Sequence, residues 1–532
     1  MRSFTGTVTL VRFYLKRDRY RLAIWILGIA IAVAGMAWSY PESFPTQPEI
    51  ESRVSMIRDN PAGTAMTGPG HALDTVTPDN YGPMIVNDIG SFTAIAVALM
   101  SIFIVIRHTR KEEETGRSEL VRSAIVGPHA STAAAVIVAA LANLLLAIFI
   151  ALGMVVQGHP GIGSLAFGLA LAMIGLVFAS IAAAAAQITQ NAGGATAIGG
   201  ITLAIAFALR ALGDVQESAL SWLSPIGWSQ AIRPYAEEQW WPVLIPIATS
   251  LVAVWTAFML GTRRDVGAGM IAAKPGPANA GPRMGTSFGL NLRLQRGSLI
   301  GWTIGVLIGG LYIGLMASEA ESVFADMEIY HEYITIEGAT LTDGLLTTFI
   351  MWITIVSLGY AIGAANRLRS EENAGHAENV LATSVSRLRY ATSILLNSIV
   401  GSLVVVSAGG IGLGLVRMSD TGNTSELFRM LGAAVAHLPA IWLLVGITIA
   451  LIGFVPRALA LVWAFVAYIV MVEMFGPLLG LPDWTYEGSP FRHTPQLPAG
   501  DVSLLAIGII TVIALGLMIV GILGFRRRDL YA

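Results

Sequence analysis

The chain contains no cysteine in 532 residues. That absence excludes disulfides, thiolate zinc sites, iron–sulfur clusters and cysteine nucleophiles. Charge is also scarce. Asp, Glu, Lys and Arg together make up 12% of the chain, about half the share of an ordinary soluble domain. A soluble chain of this length needs far more polar surface to cover its core. No G-x-x-x-x-G-K-[ST] run occurs, so there is no Walker A phosphate loop. No local Ser/His/Asp arrangement is present, and catalysis within the chain is not expected. So little charge nearly rules out a nucleic-acid binder, while the net charge of −2 by itself says little about partners.

What is abundant is apolar sequence. Hydrophobic residues make up 55%, and mean hydropathy is +0.68. The class that remains is an all-α polytopic membrane protein. Twelve apolar runs are long enough to span a bilayer: 22–38, 89–106, 131–156, 164–187, 194–212, 242–261, 299–317, 344–365, 390–413, 428–453, 460–476 and 503–525. The runs at 194–212 and 460–476 are the shortest or least separated. The runs are continuous, not alternating, which excludes an outer-membrane barrel. A cleaved signal peptide is the alternative for the first run. That run is long for one and lacks an A-x-A site.

Lys and Arg set the expected orientation. With the N-terminus inside, segments on that side carry 25 of the 32 basic residues. The other side carries six, Arg210 lies in a span, and 23 of the 34 acidic residues fall outside. Both termini are therefore expected in the cytoplasm.

A repeat divides the chain. Residues 110–121 read Arg110-Lys-Glu-Glu113-Glu-Thr-Gly116-Arg-Ser-Glu119-Leu-Val. Residues 369–380 read Arg369-Ser-Glu-Glu372-Asn-Ala-Gly375-His-Ala-Glu378-Asn-Val. Both contain E-x-x-G-x-x-E, and both follow the second span of a six-span block. Each block opens with a basic amphipathic stretch, Leu10 to Arg21 and Leu290 to Arg296. Each has an early tryptophan, Trp25 and Trp302, and a late Ser-Pro, Ser224-Pro225 and Ser489-Pro490. The expected organisation is a first half at 1–261, a Pro/Gly linker at 262–286 and a second half at 287–532. Six spans per half make the repeats parallel.

If each motif is helical, Glu113, Gly116 and Glu119 share a face, and the glycine permits close approach or a bend. Carboxylates there can pair with arginine on a partner. An ordinary solvated loop is the plain alternative. Gly305-x-x-x-Gly309, Gly310-x-x-x-Gly314 and the Gly409-Gly410-Ile-Gly412 cluster read as helix packing. Arg210 and Glu473, near span ends, read as snorkelling side chains, with a mutual pair as the second option. His437, beside Pro439, reads as a hydrogen-bonded helix contact. Glu328-x-x-His331-Glu332 is the nearest approach to a metal motif, but it lacks helical His-His spacing; no metal or cofactor is expected in this chain.

These features together resemble the membrane subunit of ABC exporters of type V, ABCG/ABCA-like architecture. Two fused halves without an ATPase look most like actinobacterial drug and polyketide-antibiotic exporter permeases of the tetronasin-resistance type. Leu223-Ser-Pro-Ile-Gly-Trp-Ser-Gln-Ala-Ile-Arg-Pro-Tyr235 adds to the likeness. The resemblance implies that the loops at 107–129 and 366–389 are coupling elements. Glu113, Gly116 and Glu119, and Glu372, Gly375 and Glu378, match the motif. The copies differ where Arg117 faces His376. Two copies of a separate ATP-binding subunit, carrying ATP and Mg, are the implied partners. The segments 8–21 and 287–298 are then levers on anionic lipid. The resemblance also implies a substrate path between the halves, lined by the second and fifth spans of each. Candidate lining residues are Phe103, Phe207, Phe349, Trp352, Phe465 and Tyr468, suited to a small hydrophobic or amphipathic compound. An ion-coupled secondary transporter, a non-transporting membrane scaffold or regulator, and a permease for lipid or envelope precursors are the other readings.

Overall fold

The structure is a computed structural model that describes residues 3–58, 61–265, 267–271, 279, 281–324, 341–476 and 482–529. In a bilayer every backbone polar group needs an internal partner, and a helix supplies one within its own segment. Accordingly, no strand occurs among the described residues, and twelve helices are long and apolar enough to cross a membrane. The chain folds as two compact units, Met1–Gly276 and Pro277–Ala532.

In the first unit the long helices are α1 (Thr7–Ser43), α2 (Gly82–His108), α3 (Ala130–Val156), α4 (Gly161–Ile188), α5 (Ala192–Val215) and α6 (Leu244–Thr262). α4 is the hub and packs on α2, α3, α5 and α6. Its alanine-rich sequence allows this, because small side chains let helix backbones approach closely. At Gly168 an added Cβ would stand 2.4 Å from the Ala147 carbonyl oxygen of α3. The basic segment 8–21 is not a separate surface helix. It runs unbroken into the first span as part of the 37-residue α1, since no glycine or proline falls between Val8 and Trp25 to stop it.

In the second unit the long helices are α7 (Ser287–Phe324), α8 (Leu341–Asn373), α9 (Arg387–Thr421), α10 (Ser425–Ala436), α11 (Leu438–Phe454), α12 (Ala460–Phe475) and α13 (Leu504–Arg527). The segment 287–298 is likewise continuous with its span in α7. α10 and α11 form one crossing, broken at His437 with Pro439 in the first turn of α11. α7 packs on α9, and α11 on α13. The glycine pattern is half as expected. Cβ atoms at Gly310 and Gly412 would meet backbone across the α7–α9 crossing at 2.2 and 2.4 Å, and Gly314 abuts Val416. Gly305 and Gly309 have nothing within 4 Å. They lie on the other side of α7 and do not close that contact.

Candidate functional site

The two motifs fold alike around their glycines. α2 ends at His108. A short helix, Arg110–Glu114, follows, then Gly116 at φ 72° and ψ −3°, then the helix Arg117–Arg122. In the second unit α8 runs to Asn373, Gly375 stands at φ 72° and ψ 1°, and the helix His376–Leu381 follows. This left-handed conformation costs other L-residues roughly 1–2 kcal/mol, so glycine is the natural occupant. The elbow corrects the shared-face expectation. The two glutamates of each motif belong to successive helices with the left-handed glycine between them.

Their surroundings differ accordingly. Glu113 is held by two arginines. Arg110 Nη1 donates to its Oε2 at 2.5 Å, and Arg264 grips both oxygens, at 2.7 and 2.9 Å. Arg264 also donates to Gln187 at the end of α4 at 2.8 Å, and both arginines donate to the Ala268 carbonyl. The planar guanidinium suits such two-point capture. Glu372 is also met by two arginines, Arg369 at 3.0 Å and Arg528 at 2.5 Å, but both reach the same oxygen, Oε2, and its Oε1 has no partner. Glu119 and Glu378 are exposed instead. Beside them stand Leu120, 77% exposed, in one copy and exposed Asn379 in the other.

Arg264 and Arg528 were not among the sequence candidates. The signal is there: an Arg-Arg-Asp run follows the last span of each half, Arg263-Arg264-Asp265 and Arg527-Arg528-Asp529. The two clasps therefore tie each motif to the end of the last helix of its own half, α6 and α13.

The junction with the first helix differs between copies. In the first unit, Asp18 of α1 is gripped by Arg107 at 2.6 and 3.0 Å and lies 3.2 Å from His108 Nε2. Arg17 reaches His108 Nδ1 and Glu112, each at 2.9 Å, and Tyr14 stacks on His108 with ring centres 4.1 Å apart. In the second unit the buried polar groups on α7, among the described residues, are neutral. Asn291 donates to Ser393 at 2.6 Å, and Gln295 is buried nearby on the same helix. Arg367 pairs with Glu371 at 2.7 Å.

Arg210 does not snorkel. It is fully buried, donates to the Thr64 and Met66 carbonyls, pairs with Asp214 at 3.5 Å, and lies over the Phe207 ring at 4.5 Å. A membrane-embedded arginine needs such internal partners. Glu473 is half-buried, its Oε1 has no hydrogen-bond partner, and Ser489, Arg492 and His493 are the polar groups around it. His437 is hydrogen-bonded at the break between α10 and α11, but to a loop and not to a helix: its Nδ1 meets the hydroxyl of Thr494, in the stretch between α12 and α13, at 2.7 Å. The aromatic candidates make local pairs. Phe103 meets Trp25, Phe349 meets Trp352, and Phe465 stacks on Tyr468, whose hydroxyl donates to the Thr485 carbonyl. Glu328, His331 and Glu332 lie outside the described residues. Among those described, no three His, Asp or Glu side chains gather as a metal site.

Comparison with known proteins adds the family. Residues 284–526 match the model described as "Multidrug efflux system permease Rv1217c, C-terminal domain". Over 531 residues the chain is 36% identical to the multidrug efflux system permease protein Rv1217c of Mycobacterium tuberculosis (strain ATCC 25618 / H37Rv), covering 99% of this chain and 95% of that one. With twelve apolar helices, this makes the chain a multi-pass protein of the bacterial plasma membrane. The chain belongs to the family of multidrug efflux system permeases.

Proposed function

We propose that the chain is the membrane-spanning subunit of an ATP-driven ABC exporter for hydrophobic or amphipathic drugs. The observation that carries the coupling is the repeated elbow and clasp. Two halves of different sequence keep the same glycine conformation, and in each an arginine beyond the last span holds the motif's first glutamate. The family membership supports drug efflux.

In this reading the motif loops face the cytoplasm, in line with the basic residues around them. ATP and Mg are held by two copies of a separate ATPase subunit. Each ATPase docks against the exposed glutamate of one motif, Glu119 or Glu378. Because the clasp joins the motif to α6 or α13, a push on the motif is delivered to the last helix of that half. The halves then tilt between inward- and outward-open states. Phe103, Phe207, Phe349, Trp352, Phe465 and Tyr468 are the proposed substrate contacts, since apolar walls suit an apolar cargo.

The test is to purify the chain with an ATPase encoded beside it and reconstitute both in liposomes. ATP hydrolysis should rise on addition of drug, and drug transport should require ATP. The proposal fails if no ATPase co-purifies and a proton gradient alone drives transport. Stimulation by lipid or envelope precursors in place of drugs would reassign the cargo.

A further inference from the structure

The first unit holds a second polar centre at the end of α2 remote from its motif. There the first turns of α2, part of α4 and the stretch 226–234 meet the loop 67–71 around a cavity of about 60 Å³, room for about four waters. Phe167 and Ile226 give it an apolar floor.

Two of the residues that line it, Asn87 and Gln230, each carry a buried amide oxygen without a partner. Asn87 is 6% exposed. Its Nδ2 donates to the Gly68 carbonyl at 3.5 Å, which orients the amide and leaves Oδ1 unpaired. Gln230 Oε1 is also buried and unpaired. Its side chain lies against Gly68, where φ is 124° and a Cβ would stand 2.4 Å from Nε2. Buried acceptors are normally satisfied, so each one left over calls for a donor.

The segment that borders the cavity at Arg233 and runs on past it is strained. Arg233, Tyr235 and Glu237 adopt φ of 53°, 61° and 56°, a left-handed state that non-glycine residues rarely take. Such strain persists where the surroundings fix it, and it gathers at ligand clamps. Here Tyr235 is fixed by packing on Gly82 and Gly163, where a Cβ would meet its ring at 2.6 and 2.1 Å, and by a 2.9 Å hydrogen bond with Ser164. Arg233 is exposed and borders the cavity. Burial, with Arg233 beside it, holds the His71 imidazole below its usual value of 6.5, so this lining group is neutral at pH 7.

The chemistry is selective. The two acceptors need hydrogen-bond donors, the arginine repels a cationic one, and the floor excludes a fully hydrated ion. We propose that this pocket binds a hydroxylated anionic head group, with hydroxyls donating to Asn87 Oδ1 and Gln230 Oε1 and the anion facing Arg233. The head group belongs either to a membrane lipid or to a free polar solute. The proposal does not depend on ATP coupling.

Binding to the full-length chain in detergent tests it. The probes are dioctanoyl phosphatidylglycerol, dioctanoyl phosphatidylethanol (equal in charge, without head-group hydroxyls) and glycerol 3-phosphate. The glycerol lipid should bind about tenfold tighter than the ethanol lipid, the combined effect of two modest hydrogen bonds to buried acceptors. Asn87→Leu and Gln230→Leu should each cut that preference to about threefold, half of its free energy, and Arg233→Gln should weaken both lipids. Gln230 is only half-buried, so its variant remains informative if Asn87→Leu does not fold. Glycerol 3-phosphate binding as tightly as the lipid supports a free solute, and its failure to bind supports a lipid. Equal affinity for the two lipids with no binding of glycerol 3-phosphate overturns the proposal, as does a preference that is undiminished in Gln230→Leu.

Discussion

Glu113 and Glu119 stand six residues apart in one motif, yet substitution should affect them in opposite ways. Removing the Glu113 carboxylate leaves Arg110 fully buried and Arg264 nearly so, each without its counter-charge. Breaking a buried pair from one side costs about 3 kcal/mol or more. Glu113→Ala and Glu372→Ala should therefore lower the unfolding temperature of the purified chain. Glu119 and Glu378 are exposed, so Glu119→Ala with Glu378→Ala should leave that temperature unchanged while reducing ATPase association and drug-dependent hydrolysis. Equal thermal shifts for the two pairs would show that the clasp adds no stability. This division was not legible in the sequence. The seven-residue pattern shows as a repeat, but Arg264 lies 151 residues beyond Glu113, and only folding brings Arg-Arg-Asp to the loop.

At the scale of elements, the apolar runs were the most legible feature, because a membrane leaves little choice but helix. Their extents were less so. Nothing in 8–25 interrupts a helix, and at 1.5 Å per residue α1 reaches about 55 Å, well beyond a hydrocarbon core of about 30 Å. The face of a glycine was legible only in part: period alone does not say which side of α7 meets α9. This gives a contrast to measure. Gly310→Leu forces a side chain into the α9 backbone and should cost about 2–3 kcal/mol or block folding. Gly305→Leu points into open space in its own half and should be nearly neutral. Thermal unfolding of the two variants, with expression level as a second readout, decides it. Comparable losses would mean that Gly305 also closes a contact.

The whole molecule offers its own control. A chain without cysteine is a ready background for single-cysteine labelling. Leu120→Cys and Trp484→Cys place exposed thiols beside the first motif and in the loop between α12 and α13. If the motifs face the cytoplasm, a membrane-impermeant maleimide should label the second in intact cells and reach the first only after lysis. The reverse pattern would invert the topology. The halves also differ where the first helix meets the motif, charged around Asp18 and neutral around Asn291. That difference shows in sequence only once the fold aligns the positions. The buried clasp has a last consequence, in terms of ionic strength. Salt screens exposed charges strongly and buried pairs much less. Molar salt should therefore strip a partner held by Glu119 and Glu378 while leaving each motif fastened to its own last helix. The chain recovered after such a wash should keep its thermal stability and bind the ATPase again once the salt is dialysed away.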